Sequence, residues 1–151
     1  MDWLSKRGIE ATVTSDRYIW HQQPAALVLA VFGGKGEGED GVGFVSCASI
    51  DESEPKNIGM VLDRSSFYAE GGGQIYDTGK LSFEDGSGSV AVKQVTNFGA
   101  YVLHIGEVTA GTISVGSRVL CQVDYERRAK VAPNHTMTHV LNFALRKART
   151  T

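Results

Sequence analysis

The sequence predicts a mainly β fold, a small closed antiparallel barrel followed by a C-terminal helix, and three observations carry that expectation. Seven short runs of β-branched or alternating residues lie between residues 26 and 124, each bounded by Gly, Asp, Asn or Ser. Of the 18 glycines, 17 fall between residues 33 and 116, where the tight corners of a closed sheet need them. After "DYERRAKVAP" the pattern changes to a stretch of helical period without Gly or Pro.

Residues 2–8 read as the last turns of a helix stopped by Gly8, a suitable residue just past a helix end. Residues 1–20 are accordingly assigned to the end of a preceding helical domain and its linker, with Met1 opening an excised piece. The barrel is expected over 21–125. Its runs are "ALVLAVFG" (26–33), "VGFVSCAS" (42–49), "NIGMVLD" (57–63), "GKLSFED" (79–85), "GSVAVKQVTNF" (88–98), "AYVLHIGEV" (100–108) and "SRVLCQVD" (117–124). "GKGEGEDG" (34–41) reads as a hairpin-like or mobile loop, and "VTAGTISVGSRV" (108–119) as a corner leading into the final strand. Strands this short and this closely spaced suit a barrel or sandwich better than alternating β/α units.

Asn134 is a good N-cap for the helix that follows. At 100° per residue Met137, Val140, Leu141, Ala144, Leu145 and Ala148 form one apolar arc, with His135, His139, Asn142 and Arg146 opposite. Residues 126–151 are therefore read as the opening helix of a second, incomplete domain.

Composition narrows the class. No apolar run approaches the length of a membrane span, and "MDWLSKRGIE" lacks the apolar core of a signal peptide, which reads as an intracellular chain. Cys47 and Cys121 form no CxxC and are expected as reduced, buried small residues, with a disulfide or metal role as the alternative. The net charge of −2 argues against a general nucleic-acid binder. Its distribution is steeper: residues 126–151 carry +5 and residues 1–125 carry −7. Such a gradient lets the C-terminal end meet a polyanion; a solvated basic helix face is the plainer reading.

Two motifs stand out. "NHTMTH" (134–139) places His135 and His139 four apart on one helix face, a spacing that suits two ligands of a tetrahedral divalent ion. Thr136 occupies the place of the general-base glutamate of HExxH, so this is no metalloprotease motif. Solvated helix histidines are the alternative. "FYAEGGGQIYDTG" (67–79) holds three consecutive glycines, either a sharp turn or a close approach to a ligand, followed by Gln74, which both donates and accepts hydrogen bonds.

"LDRSSFYAEGGGQIYDTG", "AYVLHIGEV" and "VDYERRAKVAPNHTMTHVLNFALR", in this order and spacing, resemble the alanyl-tRNA synthetase family, in particular its eukaryotic-type cytosolic members. The resemblance covers nearly the whole chain, most specifically residues 57–146. It implies a translation-protein-like barrel carrying the glycine-rich motif, entered from tRNA-recognition helices and followed by the first helix of a truncated α/β editing domain. It implies that His135 and His139 are zinc ligands, completed by a CxxxH motif that this sequence lacks. It implies further that Gln74, with Gly72 and Gly73 beside it, faces the editing pocket. ATP and magnesium belong to a catalytic domain outside this sequence. The sequence departs from the family at Gly71, where Ser or Gln is usual, and at Met137, where Ala is common.

The implied function is that of an alanine–tRNA ligase, from the region that supports hydrolysis of mischarged Ser- or Gly-tRNA(Ala), with the isolated chain inactive. Gln74 would position substrate or the attacking water, and a bound zinc would orient the ester or polarise a water. Arg127, Arg128 and Arg146 would receive phosphates of the tRNA(Ala) acceptor end. The expected partners are that tRNA and the remainder of the parent synthetase, with no membrane, in the cytoplasm or an organelle. A free-standing trans-editing deacylase and a non-catalytic β-barrel binding module are the alternatives.

Overall fold

The computed structural model describes residues 2–33, 43–45, 47–49, 57–86 and 88–150. The 34–41 loop expected from the sequence lies outside the described residues. Among the described residues nine strands follow a short helix: α1 (Asp2–Lys6), a 3-10 turn (Ser15–Tyr18), β1 (Ala25–Phe32), β2 (Phe44–Val45), β3 (Cys47–Ser49), β4 (Ile58–Leu62), β5 (Gly79–Phe83), β6 (Ser89–Phe98), β7 (Tyr101–Ala110), β8 (Thr112–Ser114) and β9 (Arg118–Val123), with α2 (Tyr125–Thr150) last.

Six strands close on themselves in the order β1–β4–β7–β6–β5–β9 and back to β1, every pair antiparallel. One edge of β1 is shared: Ala25–Leu27 pair with Leu120–Arg118 of β9, while Val31 and Phe32 pair with β2. Closure leaves no long open edge among these six, which is how short strands avoid edge-to-edge association. The close approach of β6 to β7 needs Gly106, because a Cβ built there would fall 1.8 Å from the Ala91 carbonyl oxygen.

Alternation explains the interior. Val28, Met60, Leu62, Leu81, Val90, Val95, Val119 and Cys121 are fully buried or nearly so, and Phe67 plugs the same core. All five residues of β4 are buried, which alternation does not predict. The reason lies outside the barrel, where Leu4 of α1 packs on Ala30, Val61 and Tyr101. The Tyr101 hydroxyl donates to the Ile9 carbonyl (2.7 Å), and the Thr12 hydroxyl donates to Leu62 O (3.0 Å) and accepts from Val102 N (3.1 Å). The N-terminal segment is thereby fastened to the outer wall.

Cys121 is a free, buried thiol, and burial pushes its pKa up to about 12, so it is an inert small hydrophobe as expected. Cys47 lies on β3, and its side chain is outside what is described.

The final helix corrects the expectation for its start. It begins at Tyr125, nine residues before Asn134. Asp124 is the cap: its carboxylate accepts from Arg127 N (3.0 Å) and its carbonyl from Arg128 N (3.0 Å). Pro133 sits inside the helix, where it forgoes one backbone hydrogen bond without ending the run. Asn134 is a helix-interior residue whose carbonyl accepts from the Thr138 hydroxyl (2.9 Å). From Pro133 onward the described side chains of α2 are exposed, Met137, Val140, Leu141 and Leu145 each by half or more.

Candidate functional site

The glycine motif folds as a small hairpin spanning 68–77. At its base Tyr68 N donates to the Asp77 carboxylate (2.7 Å) and Asp77 N donates to Tyr68 O (2.9 Å). At its tip Gly71 N donates to Gln74 O (3.1 Å) and Gln74 N to Gly71 O (3.0 Å). The two residues between have φ of 59° at Gly72 and 86° at Gly73. Positive φ at both central positions is the signature of a type I′ turn, which matches the twist of the strands it joins and excludes most side chains. The hairpin is moored to β6 through Glu70 N to Val95 O (3.2 Å).

This geometry divides the three glycines. Gly72 and Gly73 are required by φ. Gly71 is not in the left-handed region, and a Cβ there meets nothing closer than 3.9 Å, so the departure from the family's polar residue leaves the turn intact. Gly72→Ala and Gly73→Ala should each cost about 1–2 kcal/mol of stability, whereas Gly71→Ser should be neutral within error; urea denaturation of the three variants measures this. Gln74 leaves the turn half-exposed, and Gly72 and Gly73 are exposed beside it.

The hairpin is tied to the start of α2. Asp77 and Arg128 are 1% and 2% exposed and form a buried ion pair. Arg128 Nε donates to Asp77 Oδ2 (2.9 Å), and a terminal nitrogen donates to the same oxygen. The other guanidinium donors reach Ser66 O (2.6 Å) and Arg17 O (3.0 Å). The rings of Tyr125 and Trp20 flank it at 5.0 and 5.6 Å. One residue earlier, Arg127 donates to Tyr76 O and lies 5.5 Å from the Tyr76 ring. Asp124 N donates to Thr78 O (2.8 Å), closing the seam.

Arg128 is thus committed to the fold, and the phosphate contact expected of it is not what its position offers; burial and four directed hydrogen bonds occupy its guanidinium. Arg127 is half-buried against the hairpin, and Arg146 is exposed far along α2. His139 is exposed on the helix, and position 135 is helical, with its side chain outside the described residues. Arg127 and Arg128 therefore meet the base of the hairpin whose tip carries Gly72, Gly73 and Gln74, while His139 and Arg146 stand about 16 and 27 Å along the helix axis from Arg128. Among the described residues no three His, Cys, Asp or Glu side chains converge on one point. The residues present supply at most half of a zinc ligand set and do not by themselves make a closed site.

Asp77, Tyr76 and Asp124 escaped the sequence reading. Turn chemistry in "YDTG" marks Asp77 as a loop residue, but nothing local pairs it with an arginine 51 positions away.

Residues 45–127 match the family model described as tRNA synthetases class II (A). The chain belongs to that family. It stands among the alanyl-tRNA synthetases: it is 42% identical over 149 residues to the cytoplasmic alanine–tRNA ligase of Dictyostelium discoideum, covering 95% of this chain and 14% of that protein. It is 41% identical over 109 residues to the mitochondrial alanine–tRNA ligase of Saccharomyces cerevisiae, covering 72% of this chain and 11% of the relative. To the cytoplasmic enzyme of Bombyx mori it is 48% identical over 96 residues, 63% of this chain and 10% of the relative. The chain spans about a seventh or less of the length of these synthetases. The model's match ends within the first turn of α2, so it takes in the glycine hairpin and stops short of the histidine pair.

Proposed function

We propose that this chain is the glycine-motif barrel and the first editing-domain helix of an alanine–tRNA ligase, and that it supports hydrolysis of mischarged Ser- or Gly-tRNA(Ala). The observation that carries the reading is the rigid Gln74 hairpin, joined by Asp77 and Tyr76 to the helix that bears His135 and His139. The domain division follows: residues 1–20 lead in, 21–125 form the barrel, and 126–151 open the editing domain.

The chemistry explains why such a site is needed. An alanine pocket cannot exclude glycine by size, and one missing methyl group is worth only about 1–3 kcal/mol. A hydrophobic pocket rejects an added hydroxyl almost as poorly, so a second, polar site must find serine. In the hydrolysis a water oxygen bonds to the aminoacyl carbonyl carbon, the ester bond to the ribose breaks, and the ribose oxygen takes up a proton. Gln74 carries an amide that can hold that water or the serine hydroxyl by donating and accepting at once. Arg127 and Arg146 remain as phosphate contacts for the acceptor end. His135 and His139 would hold zinc together with ligands from elsewhere in the parent protein; a bound zinc supplies Lewis acidity and an anchor for substrate. ATP and magnesium serve the aminoacylation that the rest of the synthetase performs. We place the protein in the cytoplasm, with an organellar form allowed by its mitochondrial relative. No helix among the described residues is long and apolar enough to cross a membrane.

Deacylation of Ser-tRNA(Ala) tests the reading, with this chain and with a longer chain reaching a downstream CxxxH motif. Hydrolysis is expected only from the longer chain, and Gln74→Ala in it should slow the rate at least tenfold. Full hydrolysis by the 151 residues alone, or an unchanged rate in the Gln74→Ala variant, would overturn the respective assignment.

A further inference from the structure

We infer that Asp77 and Arg128 are a positioning pair: their buried ion pair locks the Gln74 hairpin to α2, so that hairpin and helix present one rigid face. Three observations lead there. First, among the described residues the helix packs on the barrel through its opening turns, and its described side chains are exposed from Pro133 onward. The direction of the long exposed part is therefore set at the seam formed by Asp124, Arg127 and Arg128.

Second, the helical period aligns the seam with the histidine positions. Residues 135 and 139 follow Arg128 at i+7 and i+11, which at 100° per residue returns each to within about 20° of the Arg128 direction. The stripe that begins on the hairpin base at Arg128 thus runs through both positions, about 10 and 16 Å up the axis. A tilt of about 10° at Arg128 would carry position 139 roughly 3 Å sideways at this rise per residue. Reactive constellations tolerate about 0.5 Å, so a loose seam would separate the helix from Gln74 functionally.

Third, the chemistry of the seam resists sliding. An apolar contact there would allow rotation at small cost. A guanidinium directed at Asp77, Ser66 O and Arg17 O, with Tyr125 and Trp20 on its faces, has one orientation. The same carboxylate caps the hairpin through Tyr68 N, so one aspartate fixes the turn and the helix together.

The inference rests on the editing reading for its purpose, but its test does not. Spin labels at Glu70→Cys and Asn142→Cys, in a Cys47→Ser background, report the hairpin-to-helix distance in this chain by pulsed electron resonance. The expected result is a narrow distribution in the parent, broadened at least twofold by Arg128→Met and by Arg128→Lys, with circular dichroism and the chemical shifts of the Val31 and Met60 amides unchanged. Arg128→Lys keeps the buried charge and loses the fork, so it serves if the methionine variant does not fold. An unchanged width in the folded variant, or chemical-shift changes spread evenly over the barrel amides, would overturn the pair's positioning role. In the longer, editing-competent chain the same variants should lower kcat for Ser-tRNA(Ala) tenfold or more with KM within twofold. If the unsubstituted longer chain fails to deacylate while the distances behave as expected, the editing reading falls and the positioning pair stands.

Discussion

Arg128→Ala should lower the unfolding free energy by about 3–5 kcal/mol, the usual consequence of removing one partner from a buried ion pair. The Asp77 carboxylate is 1% exposed and keeps, of its described partners, only the Tyr68 amide. Ser66 O and Arg17 O lose their donor as well. Asp77 and Ser66 O are buried polar groups left without that bond, which costs more than the bond contributed when made. Arg128→Met should cost much less if Asp77→Leu accompanies it, because a packed apolar pair avoids the desolvation of two ions. Urea denaturation of the single and double variants closes a double-mutant cycle. Arg128→Ala losing under about 1 kcal/mol, the range of an exposed pair, would show that the pair is solvated in solution.

The second large effect is acid lability centred on His104. The imidazole is fully buried, and burial lowers its pKa to about 4. Its Nδ1 donates to the Met60 carbonyl (3.2 Å), so Nε2 is the acceptor for the Ser65 hydroxyl (2.7 Å), which in turn accepts from Phe67 N (3.1 Å). The Phe67 ring closes the box edge-on at 5.5 Å. A neutral ring satisfies every one of these bonds; a protonated ring has two donors and an apolar wall. The folded pKa lies below the unfolded value, so the unfolded chain binds more protons between about pH 6.5 and pH 4. The stability this confers is complete above about pH 6.5 and is lost as pH falls towards 4, by about 3 kcal/mol in all. Urea midpoints measured from pH 7.5 down to 4.5 should fall accordingly. A His104→Gln variant should lack that component, and an identical slope in the variant would assign the acid transition elsewhere.

The sequence reading succeeded where stereochemistry is local. The runs expected at 79–85, 88–98 and 117–124 are β5, β6 and β9 within two residues at either end, because alternation and flanking glycines are properties of neighbouring residues. The run at 42–49 is two strands, β2 and β3, and the expected corner at 108–119 contains β8, which pairs with β3 through Cys47 and Ser114. Three-residue strands have too few residues for a period to register. The helix start was misplaced at Asn134 because Pro133 looks like a boundary in isolation, whereas Asp124 and the packed Tyr125 nucleate the helix a full two turns earlier.

The candidate site divides along the same line. Gly72 and Gly73 were legible as a turn, since positive φ is a demand that only the residue itself can meet. The spacing of His135 and His139 was legible because 3.6 residues per turn is fixed by the backbone. Arg128 was not. In the sequence it is one of six basic residues near the C-terminal end, indistinguishable from Arg127 or Arg146. Whether a guanidinium meets a phosphate or holds a fold together depends on which carboxylate lies across from it once water is excluded. That is settled only when barrel closure brings Asp77, Ser66 and Arg17 around the first turn of α2. The sequence alone thus determined the strands, the glycine turn and the helical phase of the histidines, all governed by neighbouring dihedrals. Tertiary structure decided which charges are buried and paired, because desolvation depends on groups far apart along the chain.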